Sequence, residues 1–273
     1  MLSPDLNFPF LSHIRIRTCN IFPTAQALLS QLTTVELRFL SSFELHLAEF
    51  SCVLHQMRCL QHLSITLEGC LHPSLHVRRL SAPDFRSVPI NTLSLIIKDM
   101  TRGDVARAMF NALSFLRPSH CTLSLDNLVV NDPLEFFWDG VHADPLVLFP
   151  YGLSITVTVY HTVTNGWDPG FDLLAALANS CDIVEEIYIQ APGSAVLGFA
   201  AYSDNLVKHY PAFIQLRYCD HLSEDALEKL MKNFLFGEGT GLQSLEIISC
   251  VGISVRLLER LHEKFGARFY YRS

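Results

Sequence analysis

Leu60-Gln61-His62-Leu63-Ser64-Ile65-Thr66-Leu67-Glu68-Gly69-Cys70 places an apolar side chain at every second position from Leu63 to Leu67 and then stops at a glycine. Such alternation is the pattern of a half-buried strand, since successive side chains leave opposite faces. Eight further runs share it: FLSHIRIRTC (Phe10 to Cys19), LTTVELRF (Leu32 to Phe39), INTLSLII (Ile90 to Ile97), CTLSLDNL (Cys121 to Leu128), LSITVTVY (Leu153 to Tyr160), VEEIYIQA (Val184 to Ala191), FIQLRYC (Phe213 to Cys219) and LQSLEIISC (Leu242 to Cys250). The last aliphatics of their cores are Ile16, Leu37, Ile65, Leu95, Leu125, Val157, Ile189, Leu216 and Ile247, separated by 21, 28, 30, 30, 32, 32, 27 and 31 residues. A near-constant period marks a solenoid, in which each unit buries its apolar face against its neighbours. The register predicts one parallel sheet with these nine aliphatics stacked as a ladder.

The period and the spacing fit the leucine-rich pattern L-x-x-L-x-L-x-x-N/C-x-L. Leu11, Ile14, Ile16 and Cys19 follow it, as do Leu242, Leu245, Ile247 and Cys250. Cys70 stands two residues late, and the fourth, sixth and seventh runs have neither Cys nor Asn in place. The fold class expected is α/β: a leucine-rich-repeat solenoid, a ribonuclease-inhibitor-like horseshoe with the parallel sheet on its concave side and helices outside. Residues 1–273 are read as a single domain of this kind.

Helical spacing fills the gaps between runs. Ala25 to Leu32 and Phe43 to Leu60 carry apolar residues three and four apart. Thr101-Arg102-Gly103-Asp104 resembles a capping box, with Thr101 and Asp104 taking up the first amides of a helix through Leu116 that Pro118 stops. Helices are also expected over Phe171 to Ala178 and Val196 to His209. Ser223 caps Glu224 to Phe236, and a last helix runs from Ser254 to Phe265 with Gly266 left-handed at its end. Phe269-Tyr270-Tyr271-Arg272 is expected to add one more strand. Asn131 to Gly152 breaks the rhythm and reads as an irregular connection, its Phe136, Phe137 and Trp138 tucked under the array.

Composition narrows the function classes. Apolar residues make up 49% of the chain and charged ones only 17%, enough for a long continuous core. No segment has the apolar length of a membrane span, and no basic-then-apolar leader opens the chain. The formal charge is −7 and Arg78-Arg79 is the only adjacent basic pair, so neither nucleic acid nor membrane is the expected partner. The eight cysteines stand singly, and Cys19, Cys219 and Cys250 take the inward repeat position, which points to the cytoplasm or nucleus.

Enzyme motifs fail on context. Gly237-Glu238-Gly239-Thr240-Gly241 has a helix before it and a strand after, the reverse of a phosphate loop. Gly193-Ser194-Ala195-Val196 lacks the second glycine of a nucleophile elbow. His72 and His76 are four apart, but Pro73 and Pro83 flank them without partner ligands. No catalytic residue, cofactor or metal site is expected, and the chain reads as a non-enzyme.

The segment Ile214-Gln215-Leu216-Arg217-Tyr218-Cys219 followed by Leu222-Ser223-Glu224-Asp225-Ala226-Leu227 resembles the cysteine-containing leucine-rich repeats of F-box proteins. The looser middle repeats and the ending Leu242 to Tyr271 are similar to the leucine-rich regions of the large fungal F-box domain-containing families. That resemblance spans nearly the whole chain and implies substrate recognition for a cullin–RING ubiquitin ligase. The F-box itself is absent: the first repeat begins by Phe10, so the ligase adaptor is a partner only if an F-box is encoded upstream. The alternative is a free-standing leucine-rich scaffold or inhibitor unconnected to ubiquitin. In either case a protein partner is expected on the concave face. Residues between the buried aliphatics line that face, and those expected to carry binding are Arg15, Arg17, Arg38, Asp126, Tyr188, Gln190, Gln215, Arg217 and Glu246.

Overall fold

The computed structural model describes residues 11–17, 26–40, 47–71, 87–127, 129–130, 148–160, 163–164, 174, 177, 181–192, 211–236 and 242–272. Twelve strands are present among them: β1 (His13–Arg17), β2 (Thr34–Leu40), β3 (His62–Glu68), β4 (Val88–Lys98), β5 (Leu116–Asp126), β6 (Val129–Val130), β7 (Leu148–Tyr160), β8 (Val163–Thr164), β9 (Cys181–Gln190), β10 (Phe213–Arg217), β11 (Ser244–Ile248) and β12 (Phe269–Arg272). Ten form one sheet in the order β1-β2-β3-β4-β5-β7-β9-β10-β11-β12, while β6 and β8 pair separately. Every pairing is parallel. The protein is thus α/β, with strands laid side by side in chain order, an arrangement compatible with a solenoid-like fold.

Parallel neighbours cannot be joined by a tight turn, so each step needs a crossover. Helices supply several of these: α1 (Gln26–Leu29), α2 (Leu47–Gln56), α3 (Gly103–Leu113), α4 (Glu224–Phe236) and α5 (Val255–Phe265). Helices pack on one face of the sheet; Phe50 of α2 meets Phe39 of β2 edge to face, with ring centres 5.9 Å apart. Val105, Ala106, Met109 and Leu113 of α3 are likewise fully buried. No helix among the described residues is long and apolar enough to cross a membrane.

The stacked ladder is present with one correction. The register runs Ile16, Leu37, Ile65, Leu95, Leu123, Val157, Ile189, Leu216, Ile247 and Tyr271. Leu123, not Leu125, continues Leu95, because Leu123-Ser124-Leu125 offers two aliphatics of the same parity and a shift of two residues keeps the same face inward. Leu125 belongs to a third buried row, Phe39, Leu67, Ile97, Leu125 and Val159, that exists only where the strands are long.

A left-handed residue follows five of the strands: Gly69, Asp99, Asn127, Tyr218 and Ser249 have φ between 50° and 62°. Each turn amide then extends the ladder by one bond, as Gly69 does to the Lys98 carbonyl at 3.0 Å and Tyr218 to that of Ile248 at 2.9 Å. Gly152 is required for a different reason. Its φ is +151°, and a Cβ there would stand 2.3 Å from the Pro118 carbonyl oxygen, at an irregularity between β7 and β9.

The first two helices end at Leu29 and Gln56 rather than Leu32 and Leu60, and three further differences concern α3 and the irregular connection. The helix expected through Leu116 ends at Leu113, and β5 starts at Leu116 with Pro118 inside it. Thr101 does not cap that helix: the N-cap is Arg102, which makes no side-chain cap bond, while Asp104 Oδ1 accepts from the Val105 amide at 2.9 Å. The connection read as Asn131 to Gly152 is shortened by β7, which begins at Leu148. Ser223 caps its helix as expected, accepting from the Ala226 amide at 3.2 Å; Ser254, read as the first residue of the last helix, is instead its N-cap and accepts from Leu257 at 3.3 Å. Gly266 takes φ 57° and β12 follows. Cys19, the cluster Phe136, Phe137 and Trp138, the histidines His72 and His76, the motif at Gly193 and the helix expected over Val196 to His209 lie outside the described residues; of Phe171 to Ala178 only Leu174 and Leu177 are described, both helical and buried.

Candidate protein-interaction face

Strand alternation sends one set of side chains into the core and the other onto the open face of the sheet. The open-face residues of β2, β3 and β4 are half-buried between fully buried neighbours. Register then brings together residues 21 to 34 positions apart. One row reads Arg15, Glu36, Ser64, Ser94, Thr122, Thr156, Tyr188, Gln215, Glu246 and Tyr270. The next reads Arg17, Arg38, Thr66, Ile96, Ser124, Thr158, Gln190, Arg217, Ile248 and Arg272. Eight of the nine predicted partner-binding residues fall in these two rows. Asp126 does not, since the two-residue shift of β5 puts Ser124 in the second row. Asp126 stands one row further along, level with Lys98 and Tyr160.

Charge is unevenly spread over the face. At the β1 end Arg15 and His13 pair with Glu36, the latter at 3.3 Å. Arg38 and Lys98 pair with Glu68, the lysine at 3.2 Å. Burial pulls the Glu68 carboxyl upward, but hydrogen bonds from Arg38 and Lys98, and their charges, hold it below its ordinary value. Between β3 and β7 the face carries mostly hydroxyls, of which Ser154 and Thr158 are buried. Toward the far end Tyr188 donates to Glu186 at 2.8 Å and its ring leans on Phe213, centres 5.4 Å apart. Burial, the Glu186 hydrogen bond and the charges of Glu186 and Glu246 push the Tyr188 phenol up to about 12. Gln215 donates to Glu246, and the Arg217 guanidinium lies 5.0 Å from the Tyr218 ring centre.

A further row went unread in the sequence: His13, Thr34, His62, Thr92, His120 and Ser154. It lies one step before the rows singled out, and carrying the same parity two residues upstream would have found it. His62 Nδ1 is 2.8 Å from Thr92 Oγ1, and His120 Nδ1 is 2.5 Å from Ser154 Oγ. Ser154 and His120 have the spacing of a nucleophile and its base, but Ser154 is only 9% exposed. The remaining His120 nitrogen faces the Thr156 hydroxyl at 3.4 Å rather than a carboxylate. Among the described residues no three His, Cys, Asp or Glu side chains group as a metal site.

The turns hold a second polar feature. Cys219 Sγ lies 3.5 Å from its own strand's Arg217 carbonyl and 3.9 Å from that of Ile189 next door. Cys70 repeats this with Glu68 and Phe39 at 3.8 and 3.7 Å, and Cys250 with Ile248 and Leu216 at 3.5 and 3.7 Å. Thr101 fills the same place beside Cys70: its hydroxyl accepts from the Cys70 amide at 3.2 Å, as Cys250 Sγ does from the Cys219 amide at 3.3 Å.

No family model, curated protein or solved structure matches this chain.

Proposed function

We propose that the chain is a protein-interaction module of one leucine-rich-repeat-like domain, a ribonuclease-inhibitor-like horseshoe whose open face is concave. On this reading it selects a protein substrate in the cytoplasm or nucleus, as the leucine-rich region of a fungal F-box subunit does for a cullin–RING ubiquitin ligase. One observation carries the reading. A single parallel sheet of ten strands exposes a continuous face of charged, hydroxyl and aromatic side chains, while the described aliphatics of its other face are mostly buried in the core. An enzyme concentrates its chemistry in a cleft; here the polar groups are spread in rows, which suits recognition of an extended surface.

The test is affinity capture with the purified chain, comparing the wild type with the open-face variant Tyr188→Ala/Arg217→Glu and the helix variant Glu259→Lys. The open-face variant is expected to lose a defined set of captured proteins at an unchanged melting temperature, and Glu259→Lys to retain them. Identical capture by all three sinks the proposal. A parallel capture of the ligase adaptor, using the chain joined to its upstream coding sequence, separates the ligase role from a free-standing scaffold.

A further inference from the structure

Resting on that interaction reading, we infer that the open face takes an extended protein segment laid across the strands, acidic at one end and bearing Lys or Arg at the other, with about seven residues between. Along the row from Arg15 to Glu246 the two ends differ in chemistry and the four residues between them carry no charge, while Arg217 and Arg272 stand one row further along at the far end.

At one end a hollow of about 170 Å³ is lined by Arg15, Arg17, Arg38, Glu36, Ser64 and Thr66. Three guanidiniums against Glu36 in the lining and Glu68 on Arg38 leave it formally positive by one charge. Arg15 reaches Glu36 through Nε, and Arg38 reaches Glu68 through Nε and Nη2. A guanidinium has five N–H groups, so further donors remain on both for an incoming carboxylate. Their side chains are 59% and 39% exposed, so the carboxylate need displace only water.

At the other end the half-buried rings of Tyr188 and Phe213 sit between two carboxylates, Glu186 on the Tyr188 hydroxyl and Glu246 two strands away. Ring faces backed by carboxylates attract an ammonium or guanidinium. The nearby cation Arg217 lies over Tyr218. Between the ends the row is Ser64, Ser94, Thr122 and Thr156, small and uncharged, able to bond a peptide backbone without selecting its side chains.

The spacing follows from the sheet. From β2 to β9 are five strand steps, about 24 Å at roughly 4.8 Å each. An extended chain covers that in about seven residues. A uniformly anionic polymer would meet Glu186 and Glu246 at the far end, so a segment of mixed sign is favoured over nucleic acid.

The test uses fluorescein-labelled peptides of about ten residues with a Gly-Ser-Ala middle, in both orders of a glutamate pair and a lysine pair, against a scramble of the same composition. Fluorescence anisotropy is expected to show one order binding about tenfold tighter than the scramble, with the advantage shrinking in salt. Arg15→Glu/Arg38→Glu is expected to erase the preference. Glu186→Lys/Glu246→Lys is expected to transfer it to a peptide with glutamates at both ends. Circular dichroism checks the fold of each variant, and Arg38→Gln replaces the first pair if it unfolds. Equal binding of block and scrambled peptides, or no transfer of preference in the charge-swapped protein, overturns the inference. If Tyr188→Ala/Arg217→Glu still loses captured partners, the interaction reading stands without this charge order; if it does not, that reading falls by itself.

Discussion

The strands β3 to β5 and the strands β10 and β11 perform the same task with different lengths. The first group runs seven to eleven residues and shares three buried rows of side chains; the second runs five and buries two. The additional pair of residues carries the third row and pushes the turn outward, so Cys70 comes two residues later after Ile65 than Cys219 does after Leu216. In the fourth repeat both turn residues Asp99 and Met100 are left-handed, and the residue that reaches the inward position is Thr101. What is held constant is the bonding to turn carbonyls and amide, not the spacing or the residue type.

The comparison breaks first at the third row. If it is packed as described, Ile97→Ala should cost about 3 kcal/mol, as much as Leu95→Ala in the shared row, since both are fully buried. Ile16→Ala, half-buried at the sheet's end, should cost about 1 kcal/mol. Denaturant titration of the three variants decides it. A cost for Ile97→Ala near that of Ile16→Ala would mean that the long strands gain nothing from their extra residues.

The next effect concerns Thr101. Thr101→Val keeps the shape but removes the oxygen that accepts from Cys70 and donates to Lys98 at 2.7 Å. Orphaning a buried amide in this way should cost about 1–3 kcal/mol. Thr101→Cys restores a weak donor and acceptor of the kind Cys250 supplies after β11, and should cost under about 1 kcal/mol. Equal losses for Val and Cys would show that the hydroxyl and thiol positions are not equivalent.

These elements also explain how far the sequence could be read. Parity is local, so the strands, their inward aliphatics and the capped helices Glu224–Phe236 and Val255–Phe265 were visible from spacing alone. Register between strands is not local. Leu123 and Leu125 have the same parity and nearly equal burial, and only the partner strands choose between them. The same two-residue ambiguity misplaced Asp126 on the face. Thr101 was missed because a Thr followed two residues later by Gly and then Asp reads as a helix cap, while two of its three partners, Leu67 and Cys70, are about thirty residues earlier. The histidine row was missed because the pattern was anchored on the aliphatics and never extended upstream.

The smallest effect separates the two ends of the open face by their response to pH. At the β1 end Glu68 is held below its ordinary value by Arg38 and Lys98, so what it adds to stability is present above the ordinary carboxylate range and lost as pH falls through its folded value. At the far end Tyr188 behaves oppositely. Its phenol is raised to about 12 from 10.0, so the folded chain keeps a proton that the unfolded chain releases. Its contribution is whole below pH 10 and is lost as pH rises to about 12. Absorbance titration at the tyrosinate band, with Tyr188→Phe subtracted, should isolate one phenol ionising near 12, and Glu186→Gln should bring it down, because that change removes both the accepting carboxylate and the nearer negative charge. A Tyr188 signal at the ordinary value, unmoved by Glu186→Gln, would dissolve the aromatic–carboxylate spot. The open face would then hold ordered charge only at its arginine end.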